Sequence, residues 1–575
     1  MKILLIQPPI RDFYQTTIRT QPIGLVYLAA SLQSRGHEAE ILDCQTEKKR
    51  SIPIPSGLSY LRDFYPFNDR SPFKLYSGYY HFGMGWDEIK RRIEDSKVDV
   101  FGISSSFTPY HGEALAMAQI VKRWARKKIV VMGGSHVSCD PEGVLESPFV
   151  DYIVLGEGEI RLPLLLEKIE KGHGRGIQEI DGIGYRIDGE VRINRLKTFV
   201  EDLDSLPHPA RDLLDLDRYR IKKKRSTMII TSRGCPHGCT YCSTHLVMGA
   251  SFRTRSPENV IQEMIDCMRQ YGIRTFDIED DNFTLDQERA KRLMGLIIET
   301  FGEQNLELTA MNGISFASLD EELLRLMRKA GFKTINLSFV STAPTTRETM
   351  KRPKGVADFN KILRLVESLG LHVISYGIFG MPGQTIEEIV DTLIYLMGKR
   401  VLIGPSVYYP TPGTPLFRRC KEAGMLPSLP SQWRSSALPI ETKDFSRLDI
   451  VTLLRLTRSV NFIKAKMDEM ELNEGMTWRE LYQVLESKVE DKVEKKSHGL
   501  CDEDEAISWI DLLLLVIREK SFFGLRKDPG GKFSILKERS SKKVLDHFFE
   551  RAWESPILQS HSSPSFPAQG DVPRP

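Results

Sequence analysis

Three cysteines within eight residues are the chemically densest feature of this 575-residue chain. They are Cys235, Cys239 and Cys242, in the run Thr231-Ser232-Arg233-Gly234-Cys235-Pro236-His237-Gly238-Cys239-Thr240-Tyr241-Cys242. Thiolates at this spacing converge on one metal centre, and three of them favour iron–sulfur or zinc. A 4Fe-4S cluster usually takes four cysteine ligands, so three leave one iron open to a further ligand. Zinc is the rival, with His245 or His237 completing a Cys-Cys-Cys-His set. Gly234, Pro236 and Gly238 suit a loop that wraps tightly around its ligand.

The elements around the cysteines say where that loop stands. It follows a predicted strand, Thr227–Thr231, the first of a series continued by Thr275–Glu279, Leu306–Ala310, Thr334–Phe339, His372–Ile378 and Pro405–Tyr409. Apolar-periodic helices such as Glu258–Tyr271 and Asp320–Ala330 lie between them. Six strand–helix units predict a partial (β/α)6 barrel of the TIM type, with chemistry at the C-terminal ends of its strands. Upstream, strands Lys2–Gln7, Ala39–Asp43, Val98–Ser104, Ile129–Met132 and Tyr152–Leu155 alternate with helices Ile23–Arg35, Asp87–Asp95 and Glu113–Lys127. That alternation predicts a doubly wound, five-stranded parallel sheet of the Rossmann type, binding its ligand at the strands' carboxyl ends. The fold class is therefore α/β. The expected domains are 1–200 (sheet), 201–225 (linker), 226–426 (barrel), 427–554 (helical) and 555–575 (disordered tail). The helices expected in the C-terminal region are Leu448–Met470, Trp478–Val489 and Asp504–Glu519, and the tail from Ser560 is rich in Ser and Pro.

Composition narrows the function classes. Lys plus Arg (80) against Asp plus Glu (77) leaves +3, so there is no strong nucleic-acid signal. No apolar run is long enough for a transmembrane segment, and the N-terminus meets Gln7, Pro8 and Pro9 before a signal core forms. Eight cysteines are too sparse for a disulfide scaffold and read as a reduced, cytoplasmic metalloprotein.

The cysteine run resembles the radical S-adenosylmethionine (SAM) superfamily, whose signature Cys-x-x-x-Cys-x-aromatic-Cys is matched by Cys235, Cys239, Tyr241 and Cys242. The resemblance implies that these cysteines hold a 4Fe-4S cluster whose open iron binds SAM, cleaved to methionine and a 5′-deoxyadenosyl radical. Tyr241 inherits a place near the adenine. Phe276-Asp277-Ile278-Glu279-Asp280-Asp281-Asn282-Phe283 is similar to the second-strand segment facing the methionine amine, which makes Asp280 and Asp281 candidate contacts; the alternative is a strand end whose carboxylates cap a turn. Tyr376-Gly377-Ile378-Phe379-Gly380-Met381-Pro382-Gly383 resembles the family's Gly-Pro-Gly segment beside the adenine, giving Gly377, Gly380, Pro382 and Gly383 as cofactor contacts. Where many relatives end the fourth strand in Glu-Ser-Gly, this chain has Phe339-Val340-Ser341-Thr342, so only Ser341 carries over. Arg352 matches a following arginine position and is placed to reach a SAM carboxylate.

The first domain has no phosphate-binding loop of either common type. Its segments Pro22–Ala29, Val98–Ser104, Val131–His136 and Gly156-Glu157-Gly158-Glu159 resemble the cobalamin-binding domain that precedes many radical SAM modules. Ser104, Ser105, Gly133 and Gly134, small residues at strand ends, leave room for a cobalamin tail. The Asp-x-His-x-x-Gly sequence that gives cobalt a histidine in many such domains is missing from Pro8–Gln15, which predicts no protein histidine on the lower cobalt face. His111 and His136 read as ordinary loop or core-edge residues, and the aromatic stretch Tyr76–Trp86 as a wall of the interdomain space or a packed loop.

The resemblance thus implies a cobalamin-dependent radical SAM enzyme, a methyltransferase acting on an unactivated carbon or on phosphorus through a 5′-deoxyadenosyl radical and methylcobalamin. A flavodoxin or ferredoxin would supply electrons, and the substrate would be a small molecule, lipid or natural product. Three alternatives stand beside it. One is a cyclase or rearrangement enzyme without methyl transfer, of the tetrapyrrole oxidative cyclase type. Another is a methylthiotransferase, which needs three more N-terminal cysteines where this chain has Cys44 and Cys139. The last is a non-catalytic cobalamin or metabolite sensor.

Overall fold

The computed structural model describes residues 1–14, 21–46, 49–172, 175–352, 354–497 and 508–559; Gln15 and the Ser- and Pro-rich tail from Ser560 lie outside them. The chain divides into two compact units. The first comprises Met1–Pro53, Tyr79–Lys333 and Pro410–Arg434; the second comprises Ile54–Gly78, Thr334–Tyr409 and the residues from Ser435 onward.

The first unit opens on strand β1 (Lys2–Gln7), helix α1 (Ile23–Ser34) and β2 (Glu38–Asp43). Then come α2 (Trp86–Asp95), β3 (Val100–Ser104), α3 (His111–Trp124), β4 (Ile129–Gly133), α4 (Ser135–Cys139), β5 (Tyr152–Val154) and α5 (Gly158–Gly172). Five parallel strands lie in the order β2-β1-β3-β4-β5, with Ile3 opposite both Ala39 and Val100. Both faces are apolar because both are covered. Ile6, Phe101, Ile103 and Met132 pack on one side, and Ile3, Leu5, Val100 and Val131 on the other, the two-residue period of a strand buried twice.

The sheet departs from the five strands expected. An antiparallel hairpin, β6 (Ile183–Ile187) and β7 (Glu190–Ile193), extends it beyond β5 to seven. Its signal is weak because β7 is only four residues long and largely exposed; the turn Asp188-Gly189, both at positive φ, is what marks it.

A second sheet in this unit contains β8 (Arg220–Ile221), β9 (Lys224–Ile229), β12 (Thr275–Ile278) and β13 (Glu307–Thr309), the last three parallel. Between β9 and β12 stand a short ladder, β10 (Ser232–Arg233) with β11 (Arg253–Thr254), and helix α6 (Pro257–Tyr271). Helices α7 (Gln287–Phe301) and α8 (Glu321–Ala330) complete the alternation. Each helix starts on a side-chain cap, Ser256, Asp286 or Asp320, that accepts an early backbone N–H.

In the second unit, β14 (Thr334–Val340), β15 (His372–Phe379) and β16 (Leu402–Val407) form a parallel sheet with α9 (Val356–Ser368) and α10 (Ile386–Met397) as connections. The long helix α11 (Arg447–Glu469) buries Lys464 completely. Its ammonium donates to the carbonyls of Leu396, Lys399 and Val401, closing the C-terminal end of α10. Then come α12 (Trp478–Ser497), α13 (Trp509–Glu519) and α14 (Lys542–Ala552), with Trp478 edge-on to Phe548 and Phe549. The C-terminal region is not purely helical. Strands Phe523–Lys527 and Phe533–Lys537 pair across Asp528-Pro529-Gly530-Gly531, a turn whose chemistry is plain once the flanking residues are known to pair. Among the described residues, no helix is long and apolar enough to cross a membrane.

Candidate functional site

Strand β9 delivers the chain to the cysteine loop, and the β10–β11 ladder closes the loop at its base. Ser232 pairs with Thr254 and Arg233 with Arg253, so residues 234–252 leave and return through one narrow neck. Gly234 is required there. Its φ is +80°, and a Cβ would stand 2.2 Å from the Ser251 carbonyl oxygen. The tip, Pro236-His237-Gly238, is exposed; Cys239 is buried, and Cys235 and Cys242 are half-buried. The Cys242 N–H donates to the Cys239 carbonyl at 3.1 Å, a tight turn that carries Tyr241.

The Cys235 sulfur accepts from Asn282 Nδ2 at 3.7 Å and faces the His237 N–H. Burial pushes its thiol pKa up, and the neighbouring Cys239 and Cys242 sulfurs add to the rise. Among the described residues, no group of three metal-ligating side chains is already gathered to coordination distance. The donor set itself fits an iron–sulfur cluster: three cysteines within eight residues of one loop, with amide and backbone N–H groups directed at the first of them.

Residues 280–282, just beyond β12, grip this loop in sequence. Asp280 accepts the Thr231 N–H at 2.6 Å, its hydroxyl at 2.5 Å and the Ser232 hydroxyl at 2.7 Å. Burial raises its pKa, against the pull of those donors. Asp281 accepts the Gly234 N–H at 2.9 Å and the Thr244 hydroxyl at 3.2 Å; burial raises its pKa also. Thus Asp280 holds the approach, Asp281 the neck, and Asn282 the first cysteine.

The neck is also held from the first sheet, by residues that sequence reasoning did not select. Arg233 donates to Glu157 at 2.8 Å and to Glu159 at 2.6 Å, and Arg253 donates to both Glu157 oxygens at 3.0 and 2.8 Å. Burial opposes the Arg233 charge, but Glu159 and Glu157 outweigh it, and its pKa lies above the ordinary arginine value. These carboxylates, which in sequence belong to a segment resembling the cobalamin-binding domain, are committed to arginines.

At the carboxyl edge of the sheet, Ser104 ends β3 and Gly133 ends β4, with Ser105 and Gly134 the next residue of each. The two strand ends interlock: Ser105 N–H donates to the Gly133 carbonyl at 2.7 Å, and His136 N–H to the Ser105 carbonyl at 3.1 Å. Gly134 has φ +114°, and a Cβ would meet the Ser105 carbonyl oxygen at 2.7 Å. His111 and His136 lie ring to ring at 4.3 Å, with Nδ1 atoms engaged by Ser105 and Thr108 at 3.0 Å each. Burial lowers their pKa values to about 3 and about 4, so both are neutral. Beside them Phe107 is 57% exposed, an uncovered aromatic at this edge.

The remaining candidates lie in the second unit. Val340 and Gly377 are register partners at the ends of β14 and β15. Ser341 is buried and caps a local turn, its oxygen accepting the Ala343 N–H at 3.1 Å. Val340 is the unforeseen residue, a β-branched side chain at φ +73° beside a bulge. Gly380, Pro382 and Gly383 form the turn after β15, fastened by Gln384, which accepts from Met381 N–H and donates to the Ile378 carbonyl. Arg352 is half-buried, with its N–H on the Arg347 carbonyl at 2.7 Å.

Residues 229–396 match the radical SAM superfamily model, and residues 77–166 the B12-binding domain model. An uncharacterized methyltransferase of Pyrococcus horikoshii is 28% identical over 81% of this chain and 94% of its own length. Cytidylyl-2-hydroxyethylphosphonate methyltransferase of Streptomyces wedmorensis is 27% identical over 75% and 84%. An anaerobic magnesium-protoporphyrin IX monomethyl ester cyclase of Rubrivivax gelatinosus is 25% identical over 58% and 60%. Among solved structures, the radical SAM methyltransferase TsrM of Kitasatospora setae, with cobalamin and a 4Fe-4S cluster bound, aligns with a TM-score of 0.56 at 19% identity over 76% of this chain and 81% of its own. The cobalamin-dependent radical enzyme OxsB with aqua-cobalamin bound aligns with a TM-score of 0.60 at 15% identity over 96% and 84%. These last likenesses establish the fold.

Proposed function

The chain belongs to the cobalamin-binding radical SAM superfamily, and on that premise we propose that it is a methyltransferase acting on an unactivated carbon or phosphorus centre of a small molecule. The observation that carries the reading is the cysteine loop, closed at its neck, gripped by residues 280–282 and tied to the strand ends of the sheet domain. When bound, the cluster with SAM supplies the 5′-deoxyadenosyl radical, and cobalamin supplies the methyl group.

Cys235, Cys239 and Cys242 are the cluster ligands in this reading. Tyr241, Ser341, Arg352, Gly377, Gly380, Pro382 and Gly383 bind SAM, while Ser104, Ser105, Gly133 and Gly134 admit the cobalamin tail. Asp280 and Asp281 serve the SAM site by holding the loop that presents it, since their described oxygens receive loop donors. The neutral, mutually packed His111 and His136 support a lower cobalt face without a histidine ligand. The exposed Pro236–Gly238 tip suits electron entry from a flavodoxin or ferredoxin. The cysteines among the described residues are mostly buried and form no disulfide, which suits a reducing cytoplasm.

The cyclase reading rests on the likeness to the Rubrivivax enzyme, 60% of whose length is matched. Product analysis separates the two. Anaerobic enzyme given SAM, a reductant and candidate phosphonate, lipid or tetrapyrrole substrates should form 5′-deoxyadenosine and S-adenosylhomocysteine in step with a methylated product. Deoxyadenosine and product without S-adenosylhomocysteine would favour cyclisation.

A further inference from the structure

Glu157, Glu159, Arg233 and Arg253 form a buried quartet of two negative and two positive charges, every side chain no more than 7% exposed. Glu157 also accepts the Val200 N–H at 2.7 Å, and the Tyr27 ring lies 5.2 Å from the Arg233 guanidinium. The carboxylates stand immediately beyond β5, and the arginines are the paired residues of the cysteine-loop neck, Arg233 two positions before Cys235. A second run of contacts parallels the first. Helix α4 leaves the Gly134–Ser105 junction, its Ser138 hydroxyl accepts the Gly156 N–H at 2.8 Å, and Cys139 at its end is hydrogen-bonded to Ser243, next to Cys242.

A stability role alone does not call for this arrangement. Buried ion pairs gain little over apolar packing of the same volume, whereas their geometry is specific, since a planar guanidinium shared by two carboxylates admits few orientations. From the placement of the quartet, we infer that Glu157 and Glu159 are positioning residues for the cysteine loop. Acting through Arg233 and Arg253, they set where the cluster stands relative to the strand ends of the corrinoid domain. The inference rests on the reading of the three cysteines as cluster ligands.

The test compares wild type with E159Q and R233K, each reconstituted anaerobically with iron, sulfide and hydroxocobalamin. D151N is the control, because Asp151 joins Lys122 and the Val130 N–H at the opposite edge of the same sheet and touches no part of the loop. Iron and corrinoid content, the melting midpoint, the SAM-induced change in the reduced cluster's electron paramagnetic resonance (EPR) spectrum, and deoxyadenosine formation are measured on each. E159Q and R233K should retain iron and corrinoid within about twofold, show an altered SAM-induced spectrum, and lose about tenfold or more in deoxyadenosine rate, the size expected of a small misplacement. D151N should lower the midpoint and leave the spectrum and the rate alone. The inference is overturned if both variants keep the wild-type spectrum and rate, or if D151N alters them equally. Absence of cluster and deoxyadenosine in the wild type would instead remove the proposed function beneath it.

Discussion

Asn282 Nδ2 stands 3.7 Å from the Cys235 sulfur, so the first cysteine of the loop is reached by a donor from the next parallel strand's end. A hydrogen bond to a ligating sulfur withdraws charge from it and raises the potential of the cluster it holds. N282L should therefore keep its iron while shifting the cluster's midpoint potential downward, and should need a stronger reductant to release deoxyadenosine. Redox titration followed by EPR measures the shift; an unchanged potential would place Asn282 outside the ligand environment.

The Asp280 carboxylate accepts the Thr231 N–H and hydroxyl and the Ser232 hydroxyl. D280A removes both acceptor oxygens; the hydroxyls can turn to other partners, but the buried Thr231 N–H is left unmatched. The expected cost is about 1–3 kcal/mol. Denaturant unfolding checks it, and D280A should also bind less iron, because the approach to the cysteine neck loses its anchor.

Gly134 joins the ends of β3 and β4 with no room for a Cβ. G134A should cost about 2–4 kcal/mol through backbone displacement and overpacking. The displaced segment lies where Ser105 and Gly133 are proposed to admit the cobalamin tail. Equilibrium dialysis against hydroxocobalamin should show a clear loss of affinity, larger than any loss of iron.

The pH dependence of stability follows from two opposed sets of groups. His111 and His136 titrate near 6.5 when unfolded but at about 3 and about 4 in the fold, because burial disfavours the imidazolium. The unfolded chain therefore binds more protons, and the stability these residues contribute above pH 6.5 is lost as the pH falls towards 4. Asp43 runs the other way. Burial lifts its pKa from 3.8 to about 6, so its contribution is greatest at low pH and declines as the pH rises from about 4 to 6. H111Q should flatten the acid limb of a pH–stability profile, and D43N should steepen it. Chemical denaturation from pH 4 to 7 reads both slopes, and an unchanged acid slope in H111Q would contradict the neutral pair.

Much of the architecture is visible in local sequence because its signals are local. Alternating apolar faces place Ile3, Leu5, Val100 and Val131 on one side of a buried parallel sheet, and Ser256, Asp286 and Asp320 announce the helix starts. The cysteine spacing marks its loop for the same reason. What sequence does not reveal is partnership across distance. Arg233 finds Glu157 76 residues away, and Asp280 finds Thr231 49 residues away, so neither role can be read from neighbours. Strand β7 escapes notice because the polar–apolar alternation of Glu190-Val191-Arg192-Ile193 runs for only four, mostly exposed residues, and Val340 because a strained φ leaves no compositional trace.

The central claim is that Cys235, Cys239 and Cys242 hold a 4Fe-4S cluster with an iron open to SAM. Its most direct test is iron, acid-labile sulfide and zinc analysis of anaerobically purified chain, with Mössbauer spectra recorded before and after SAM. The account predicts about four iron and four sulfide per chain, one iron site changing its signal with SAM, and loss of that signal in C235A, C239A and C242A alike. Stoichiometric zinc without sulfide, or a cluster that survives all three substitutions, would contradict it.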